Sequence, residues 1–149
     1  IIDKLISLGL PAGKKKYTIR IPTWALSNKV LGANFLRGLA DTDFSVCFKK
    51  GSRLRHNYPV IQVALCSKRL IENIKIILNN LGISFYSFYR YKKTNFGVFD
   101  LYELNINGKE NLEKWMKFIG FSNKKHLDKI SFWREFGYYY KGIKVDGGI

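Results

Sequence analysis

Two pairs of alternating segments, separated by a helical pattern, constrain the fold of this chain most strongly. Apolar and polar residues alternate with period two from Phe44 to Lys50 and again from Val60 to Cys66, as they do in half-buried strands. The basic stretch from Gly51 to Asn57 joins them, so the pair predicts an antiparallel hairpin. A second hairpin is predicted from Ile83 to Tyr91 and Val98 to Ile106, across a Lys-Lys-Thr-Asn-Phe-Gly turn.

Helical spacing of apolar residues predicts the layer that covers these hairpins. The apolar residues from Leu70 to Leu81 recur with a helical period and stop at Gly82, a residue suited to the end of a helix. Further helices are predicted from Asn111 to Ile119, ended by Gly120, and from Lys124 to Phe136. The order helix, two strands, helix, two strands, helix predicts an α+β domain. We expect one four-stranded antiparallel sheet with helices on one face and the other face free.

The length of 149 residues fits a single domain, residues 1–149. We expect a short helix from Ile2 to Leu10 and extended backbone from Lys14 to Ile21. The predicted divisions are an N-terminal extension (1–26), a first long helix (27–43), two hairpins with their intervening helix (44–107) and C-terminal helices (108–149).

The helix before the first hairpin is apolar around most of its circumference. Ser27 is placed to cap its N-terminus. A chain of this size seldom encloses a whole helix, so we expect the second apolar side to contact a partner. Gly32, Gly38 and the alanines would let a partner backbone approach closely. The apolar residues concerned are Val30, Leu31, Ala33, Phe35, Leu36, Leu39 and Ala40.

The positive charge is large and unevenly placed. Lys and Arg number 26 against 11 Asp and Glu, a net charge of +15, and 46% of residues are hydrophobic, so the charge lies on a folded surface. Such a surface favours a polyanion, either a nucleic acid, an acidic membrane or an acidic protein. The segment from Phe44 to Lys93 has one acidic residue, Glu72, and its positive charges lie mainly on the hairpins.

The predicted free face of the sheet is polar and basic. We expect it to lie on a nucleic acid, although a merely solvated face remains the alternative. Aromatic rings crowd the second hairpin, and we expect most of them to pack in the core. The side chains predicted on the free face are Ser45, Lys49, Gln62, Arg90 and Lys92.

Several residues and segments carry weak or negative signals. Cys47 and Cys66 are isolated thiols, which argues against zinc and favours a reducing compartment. His56 and His126 are expected on the surface or in loops. The chain has neither a signal-peptide pattern nor an apolar run long enough to span a membrane. We therefore expect an intracellular protein, in the cytoplasm, the nucleoid or an organelle, that is not secreted and has no membrane partner.

Two carboxylates, Asp41 and Asp43, end the first long helix, where the helix dipole disfavours negative charge. Something cationic should compensate, and carboxylates are ligands that Mg²⁺ prefers. In a basic protein such a pair suggests metal-assisted phosphodiester cleavage. Alternatively, both residues only shape the turn into the strand through their own hydrogen bonds. The spacing leaves these two interpretations open.

The segment LRGLADTDF, Leu36 to Phe44, resembles the signature motif of the LAGLIDADG homing endonucleases. It keeps the first Leu, the Gly and the following Leu of that motif, together with both acidic positions. An upstream Ile-Pro-x-Trp run (21–24) and a downstream Asn-Leu-x₆-Ile-Gly-Phe run (111–121) also fit. The similarity covers most of the chain, and the predicted order of elements is that of the family.

The resemblance implies a homing endonuclease, encoded within an intron, that cuts both strands of a long near-palindromic DNA site across the minor groove. Asp43 would be the metal-binding catalytic carboxylate, with Mg²⁺ as cofactor and Ca²⁺ or Mn²⁺ as substitutes. Asp41 occupies the other acidic position, which more often supports the helix end. Lys109, near the end of the fourth strand, is the candidate for a basic residue that assists the reaction, although Asn107 is the alternative for that position.

The same resemblance implies that the sheet saddles the major groove of double-stranded DNA. Gln62 would read a base edge, with adenine as its natural partner. The residues expected to contact DNA are Ser45, Lys49, Arg53, Arg55, Gln62, Lys68, Arg90, Lys92 and Lys93.

The chain holds one copy of the motif, whereas the family needs two. We therefore expect a homodimer through the motif helix, with Leu36, Gly38 and Leu39 at the contact. The alternative is a second half located elsewhere in a larger parent protein. Phe44 replaces the final Gly of the motif and is expected to lie beside the scissile site. The competing function is a non-cleaving relative that binds DNA or intron RNA as a maturase or regulator.

Overall fold

The computed structural model describes residues 1–10, 12–14, 16–51 and 55–140. The alternating and helical patterns become elements in the predicted order, with ends that shift by a few residues. The elements are α1 (Ile2–Ser7), α2 (Thr23–Leu26), α3 (Lys29–Asp43), β1 (Ser45–Lys50), β2 (His56–Leu65), α4 (Lys68–Asn80), β3 (Tyr86–Thr94), β4 (Gly97–Asn107), α5 (Lys109–Phe118) and α6 (Lys124–Phe136).

The four strands form one antiparallel sheet in the order β1-β2-β4-β3. Ser45 pairs with Gln62, Gln62 with Asn105, and Asn105 with Tyr86, so these four residues form one row across the sheet. Paired residues point to the same face. We call the face that carries this row the outer face. The α+β fold with one free sheet face is confirmed.

The opposite face of the sheet packs on α3, α4, α5 and α6. Helix α3 contributes Leu36 and Ala40, both fully buried, and α5 contributes Trp115. Gly82 (φ 67°) and Gly120 (φ 74°) follow α4 and α5 with left-handed backbone, as predicted for residues that end helices. The buried sheet residues of this core are Val46, Phe48, Ile61, Val63, Leu104 and Ile106.

Helix α3 begins one residue later than predicted. The side chain of Asn28 accepts hydrogen bonds from the backbone N–H groups of Val30 (2.9 Å) and Leu31 (3.0 Å), so Asn28 is the N-cap. The prediction that Ser27 caps this helix is wrong, because Ser27 ends the short helix α2 and its N–H donates to Thr23.

The small residues of α3 divide between the two sides of the helix. Gly32 is buried, and a Cβ there would lie 3.0 Å from the carbonyl oxygen of Ala25, so this glycine serves packing within the chain. A Cβ on Gly38 would meet nothing within 4 Å. Only Gly38 therefore lies where the predicted partner could approach.

The second hairpin is longer than the rest of the sheet. Strand β2 ends at Leu65 opposite Tyr102, while β3 and β4 continue to the pair Thr94–Gly97. Residues 90–101 therefore form a two-stranded ribbon, which we call the overhanging ribbon, with no third strand beside it in the described residues.

The overhang explains a wrong prediction about the aromatic rings of the second hairpin. Phe85 and Tyr102 pack against the core. Tyr89, Tyr91 and Phe96 are exposed because the hairpin extends past the helices that would cover them, and Tyr86 is exposed because it lies on the outer face. The exposed fractions are 62% for Tyr86, 53% for Tyr89, 66% for Tyr91 and 94% for Phe96.

The N-terminal residues lie mostly at the surface. Helix α1 has no buried residue, and residues 16–18 form a turn, so the predicted extended backbone from Lys14 to Ile21 is interrupted. Ile21 is buried, and its N–H donates to the side chain of Asn73 on α4. Among the described residues no helix is both long and apolar enough to cross a membrane.

Candidate active site and nucleic-acid interface

The two carboxylates at the end of α3 have different surroundings. Oδ1 of Asp41 accepts hydrogen bonds from the backbone N–H groups of Ser122 (2.8 Å) and Asn123 (3.0 Å). Asn123 is the N-cap of α6, so Asp41 lies at the positive end of that helix. The unfavourable charge at the end of α3 is therefore offset for Asp41 by two N–H donors and not by a cation.

Asp43 lies at the last residue of α3 and is exposed. Within the described residues its carboxylate makes no hydrogen bond and no ion pair. It borders a polar cleft of about 250 Å³ on the outer face of the sheet. The residues that line this cleft are Asp43, Ser45, Gln62, Val63, Ala64, Arg90, Glu103 and Asn105.

Strand register brings the cleft residues together. Ser45, Gln62 and Asn105 form one row across the sheet. The pair Ala64 and Glu103 belongs to a second row, two residues further along the strands. Alternation along both strands places these rows on the same face. Three neutral oxygen-bearing side chains and one acid from β4 are thus assembled beside Asp43.

Two side-chain interactions orient groups in the cleft. Arg90 forms an ion pair with Glu103, whose side chain is 14% exposed, while that of Arg90 is 57% exposed. Oε1 of Gln62 accepts a hydrogen bond from Sγ of Cys47 at 3.6 Å. The guanidinium is held at the cleft by a carboxylate and keeps donors free toward solvent.

The donor set of the cleft fits a hard divalent cation. Mg²⁺ is usually held by one or two carboxylates, with waters and substrate phosphates as its other ligands. Asp43 supplies a free carboxylate, and Ser45, Gln62 and Asn105 supply neutral oxygens nearby. The described part of the chain contains no group of three His, Cys, Asp or Glu side chains that could hold a metal by themselves. One chain therefore offers part of a metal site, which phosphate oxygens or a second carboxylate would complete.

Phe44, which replaces the last glycine of the motif, points into the core. Its side chain is 4% exposed, and its ring centroid lies 5.5 Å from that of Trp115. Its backbone is extended (φ −90°, ψ 158°), a conformation that does not need glycine. The expectation that this side chain lies beside the scissile site is wrong, because the ring packs under the sheet.

Lys109 does not join the cleft. It is the first residue of α5 and is exposed beside Glu110, Glu113, Lys114 and Lys117 on that helix. Glu103 and Asn105 are the β4 residues that line the cleft, and the strand then continues to Asn107 in the direction that leads away from Asp43. The cation that the fold brings to Asp43 is Arg90.

Three of the basic residues predicted to contact DNA lie on the strands of the sheet, outside the row that contains Ser45 and Gln62. Lys49 and Lys92 are exposed on the outer face with Ser45, Gln62 and Arg90. Lys93 is also exposed, but the alternation along β3 places it on the opposite face from Lys92.

The remaining three predicted DNA contacts lie elsewhere. Lys68 is the first residue of α4, in the helical layer. The guanidinium of Arg55 lies 5.3 Å from the ring centroid of Tyr138, in the segment after α6. Arg53 lies outside the described residues.

The surface of α3 that faces away from the core is partly apolar. Gly38 is exposed, Leu31 is 42% exposed, and Phe35 and Leu39 are half-buried. Leu36 is fully buried in the chain's own core, on the other side of the helix. Of the three residues expected at the partner contact, Gly38 and Leu39 are accessible to a second helix and Leu36 is not.

The sequence pattern did not indicate that His126 is buried. It is 6% exposed, its ring lies 4.8 Å from that of Phe121, and its Nδ1 has no hydrogen-bond partner in the described residues. Burial lowers the pKa of His126, Lys129 and Lys125 lower it further, and Asp41 opposes them. The surface position expected for this residue is wrong, and its spacing with Ile130 and Trp133 on α6 was the available signal.

The site residues coincide with a known family domain. The model of a family described as LAGLIDADG-like domain matches residues 31–120, which run from the first turn of α3 to two residues past the end of α5. The probable translation initiation factor IF-2 of Methanocaldococcus jannaschii is similar to this chain, with 37% identity over 127 residues. That alignment covers 80% of this chain but 10% of the relative, so the chain spans about a tenth of the relative's length.

Proposed function

The chain belongs to the LAGLIDADG-like domain family, and on that premise we propose that it is a site-specific, divalent-metal-dependent double-strand DNA endonuclease. Members of this family are usually endonucleases. The observation that carries the proposal is the contrast between the two acids of the motif. Asp41 is hydrogen-bonded to the start of α6, whereas Asp43 is exposed, unpaired within the described residues and at the edge of a polar cleft.

Asp43 is the residue that would hold the cation, together with phosphate oxygens of the DNA. Bound Mg²⁺ would supply Lewis-acid stabilisation of the charge that develops on the phosphate and would favour ionisation of a bound water. Asp41 would act as a positioning residue, because its hydrogen bonds fix the end of α3 and hence the place of Asp43. Arg90, held by Glu103, would contact the DNA backbone at the cleft.

The outer face of the sheet would provide the remaining DNA contacts. Lys49 and Lys92 carry exposed charge on this face, and Gln62 offers an amide between them at the cleft. An amide side chain makes a bidentate pair with adenine in the major groove, while lysines contact phosphates. This division of roles supports one surface that both holds and reads a duplex.

A complete enzyme would need a second LAGLIDADG helix packed on the exposed side of α3. The accessible Gly38 and the half-buried Leu39 support that contact. In the isolated chain the second helix would come from another copy, which is the predicted homodimer. The relative matched over a tenth of its length supports the further proposal that such a domain is carried inside a longer polypeptide, which would then supply the second half.

Cleavage of a randomised duplex library tests the proposal. The wild-type chain should cut selected duplexes in Mg²⁺ or Mn²⁺, and EDTA should abolish cutting. The Asp43→Asn variant should lose at least about a hundredfold in rate while still binding the same duplexes. Asp128→Asn is the matched control, because Asp128 lies on α6 and pairs with Lys124 away from the cleft.

Two results would overturn the proposal. Cutting by Asp43→Asn at the wild-type rate would exclude this carboxylate from the chemistry. Tight duplex binding by the wild type, with no cutting in Mg²⁺, Mn²⁺ or Ca²⁺, would identify a non-cleaving relative.

A further inference from the structure

A lysine in a segment outside the family match contacts an aromatic ring of the second hairpin. Residues 16–21 precede the matched range of 31–120, yet Nζ of Lys16 lies 3.5 Å from the ring centroid of Phe99 on β4. Phe99 pairs with Lys92 on β3, and both belong to the outer face of the overhanging ribbon. The segment therefore carries a positive charge to the surface that would contact DNA.

The position of this segment is fixed by two hydrogen bonds to α4. Oγ of Ser67, a residue only 1% exposed, donates to the carbonyl oxygen of Ile19 at 2.7 Å. The N–H of Ile21 donates to Oδ1 of Asn73 at 2.9 Å. Ser67 is also the N-cap of α4, so the segment is attached to a rigid helix end.

The end of β2 leaves room for this segment. Leu65, the last residue of β2, pairs with Tyr102, so within the described ranges β4 has no neighbouring strand on that side from Leu101 to Gly97. Lys16 lies over Phe99 at this free edge. Phe99 is half-buried, whereas its neighbour Val98 is exposed.

Two lysines of this region have no ion-pair partner in the part of the chain that the structure describes. Lys16, over the ring of Phe99, and Lys92, the strand partner of Phe99, have no ion pair in the described residues. Of the acids on β4, Glu103 pairs with Arg90, and Asp100, which accepts the hydroxyl of Tyr89 at 2.6 Å, lies on the opposite face of the strand from Phe99. Neighbouring positive charges without a counter-charge are stabilised by a polyanion.

We propose that Lys16, held over Phe99, contacts a DNA phosphate and extends the interface beyond the family domain. This inference rests on the proposed function and deepens it. A two-stranded ribbon fits the major groove of B-form DNA, whereas the major groove of A-form RNA is too deep and narrow to admit it. The ring restricts the lysine, so less side-chain entropy is lost when phosphate binds.

Salt dependence of binding to a 40-bp random duplex tests the inference with the full chain. Lys16→Ala should weaken binding about two- to fivefold at 0.1 M salt and reduce the slope of log K against log salt by about 0.9, the loss of one phosphate contact. Lys117→Ala is the matched control, since its Nζ lies 5.3 Å from the ring of Phe118 on α5, in the helical layer. This control should leave both quantities unchanged.

Two more variants separate charge from fold. Phe99→Leu keeps every charge but removes the platform, so it should weaken binding to a smaller extent than Lys16→Ala. Lys16→Arg keeps the charge and the ring contact and should restore wild-type binding. Thermal unfolding of both Lys16 variants should match the wild type, because Lys16 is exposed.

The outcomes distinguish this inference from the proposed function. A wild-type chain that binds the duplex, with Lys16→Ala equal to Lys117→Ala, would overturn the inference and leave the proposed function standing. A wild-type chain that fails to bind duplex DNA even at low salt would overturn both. A loss in Lys16→Ala confined to a 40-bp RNA duplex would overturn DNA as the ligand of this segment.

Discussion

Asn123 donates two hydrogen bonds to Asp41, from its backbone N–H to Oδ1 at 3.0 Å and from Nδ2 to the carbonyl oxygen at 2.9 Å. Oδ1 of the same side chain accepts from the N–H of Lys125 and so caps α6. One residue therefore satisfies the end of α3 and the start of α6 together. We call this set of hydrogen bonds the joint between α3 and α6. It fixes the end of α3 and therefore the position of Asp43, two residues after Asp41, at the cleft.

Because Asn123 binds only one of the two acids of the motif, replacing Asp41 and replacing Asp43 should have different effects on the stability of the protein. Asp41→Ala removes the acceptor of two backbone N–H groups, one of them partly buried, and should lower the free energy of unfolding by about 1–3 kcal/mol. Asp43→Ala removes an exposed charge from the unfavourable end of a helix dipole, so it should leave stability unchanged or raise it by up to about 1 kcal/mol. Urea denaturation of both variants measures the difference. Equal losses of stability would contradict the conclusion that Asp41, and not Asp43, supports the fold.

Restoring the motif's glycine at position 44 should harm the protein. The Phe44 ring is buried against Trp115 and its backbone is extended, so Phe44→Gly removes packing and relieves no strain. We expect a loss of about 3–5 kcal/mol or more in unfolding free energy. Phe44→Leu, which keeps most of the apolar volume, should lose less than half as much. A Phe44→Gly variant with wild-type stability and faster cutting would show that the ring obstructs the site.

The elements of the sheet could be predicted because their signals are local. Alternation placed Val46 and Ile61 on the buried face, and Gly82 marked a helix end, all within a few residues of sequence. The N-cap of α3 was misassigned because Ser27 and Asn28 are both capping residue types. Only the backbone course of α2, which ends at Ser27, decides between them.

The distinctions within the site could not be predicted because they depend on residues far apart in sequence. Asp41 and Asp43 look alike until the loop before α6, more than 80 residues away, supplies the two N–H donors of Asp41. Lys16 and Phe99 meet because β2 stops short of β4. Strand lengths decide which rings are covered, and alternation alone does not reveal those lengths.

Stability should fall at mildly acidic pH because of His126. Its pKa is lowered in the folded state, first by burial, so between that lowered value and the unfolded value of about 6.5 the unfolded chain binds more protons. The contribution of neutral His126 is therefore present above about pH 6.5 and is lost as the pH falls through that window. The loss should be at most about 1.4 kcal/mol per pH unit.

Urea denaturation of the wild type and of His126→Phe, between pH 7.5 and pH 5, measures this contribution. The variant keeps a ring against Phe121 and cannot be protonated, so its stability should depend less on pH in that range. Identical pH profiles would show that this histidine is not responsible for the loss.

Gly38 should control association without supporting the fold. A Cβ at this position meets no atom within 4 Å, and the residue is exposed in the middle of α3. Gly38→Leu should therefore raise the unfolding free energy of the isolated chain by about 0.5–1 kcal/mol, through helix propensity. Between two helices, however, the added side chain would hold the backbones apart and weaken the predicted homodimer.

Sedimentation velocity over a range of concentrations measures this effect. The wild type should sediment as a dimer of 17.3 kDa chains and Gly38→Leu as a monomer. Gly32→Ala is the control, because its Cβ would lie 3.0 Å from the carbonyl oxygen of Ala25 inside the chain. It should lose stability and keep the dimer at concentrations where it is folded. A Gly38→Leu variant that dimerises as the wild type does would place the contact away from Gly38, and a monomeric wild type would assign the second half of the enzyme to a larger parent protein.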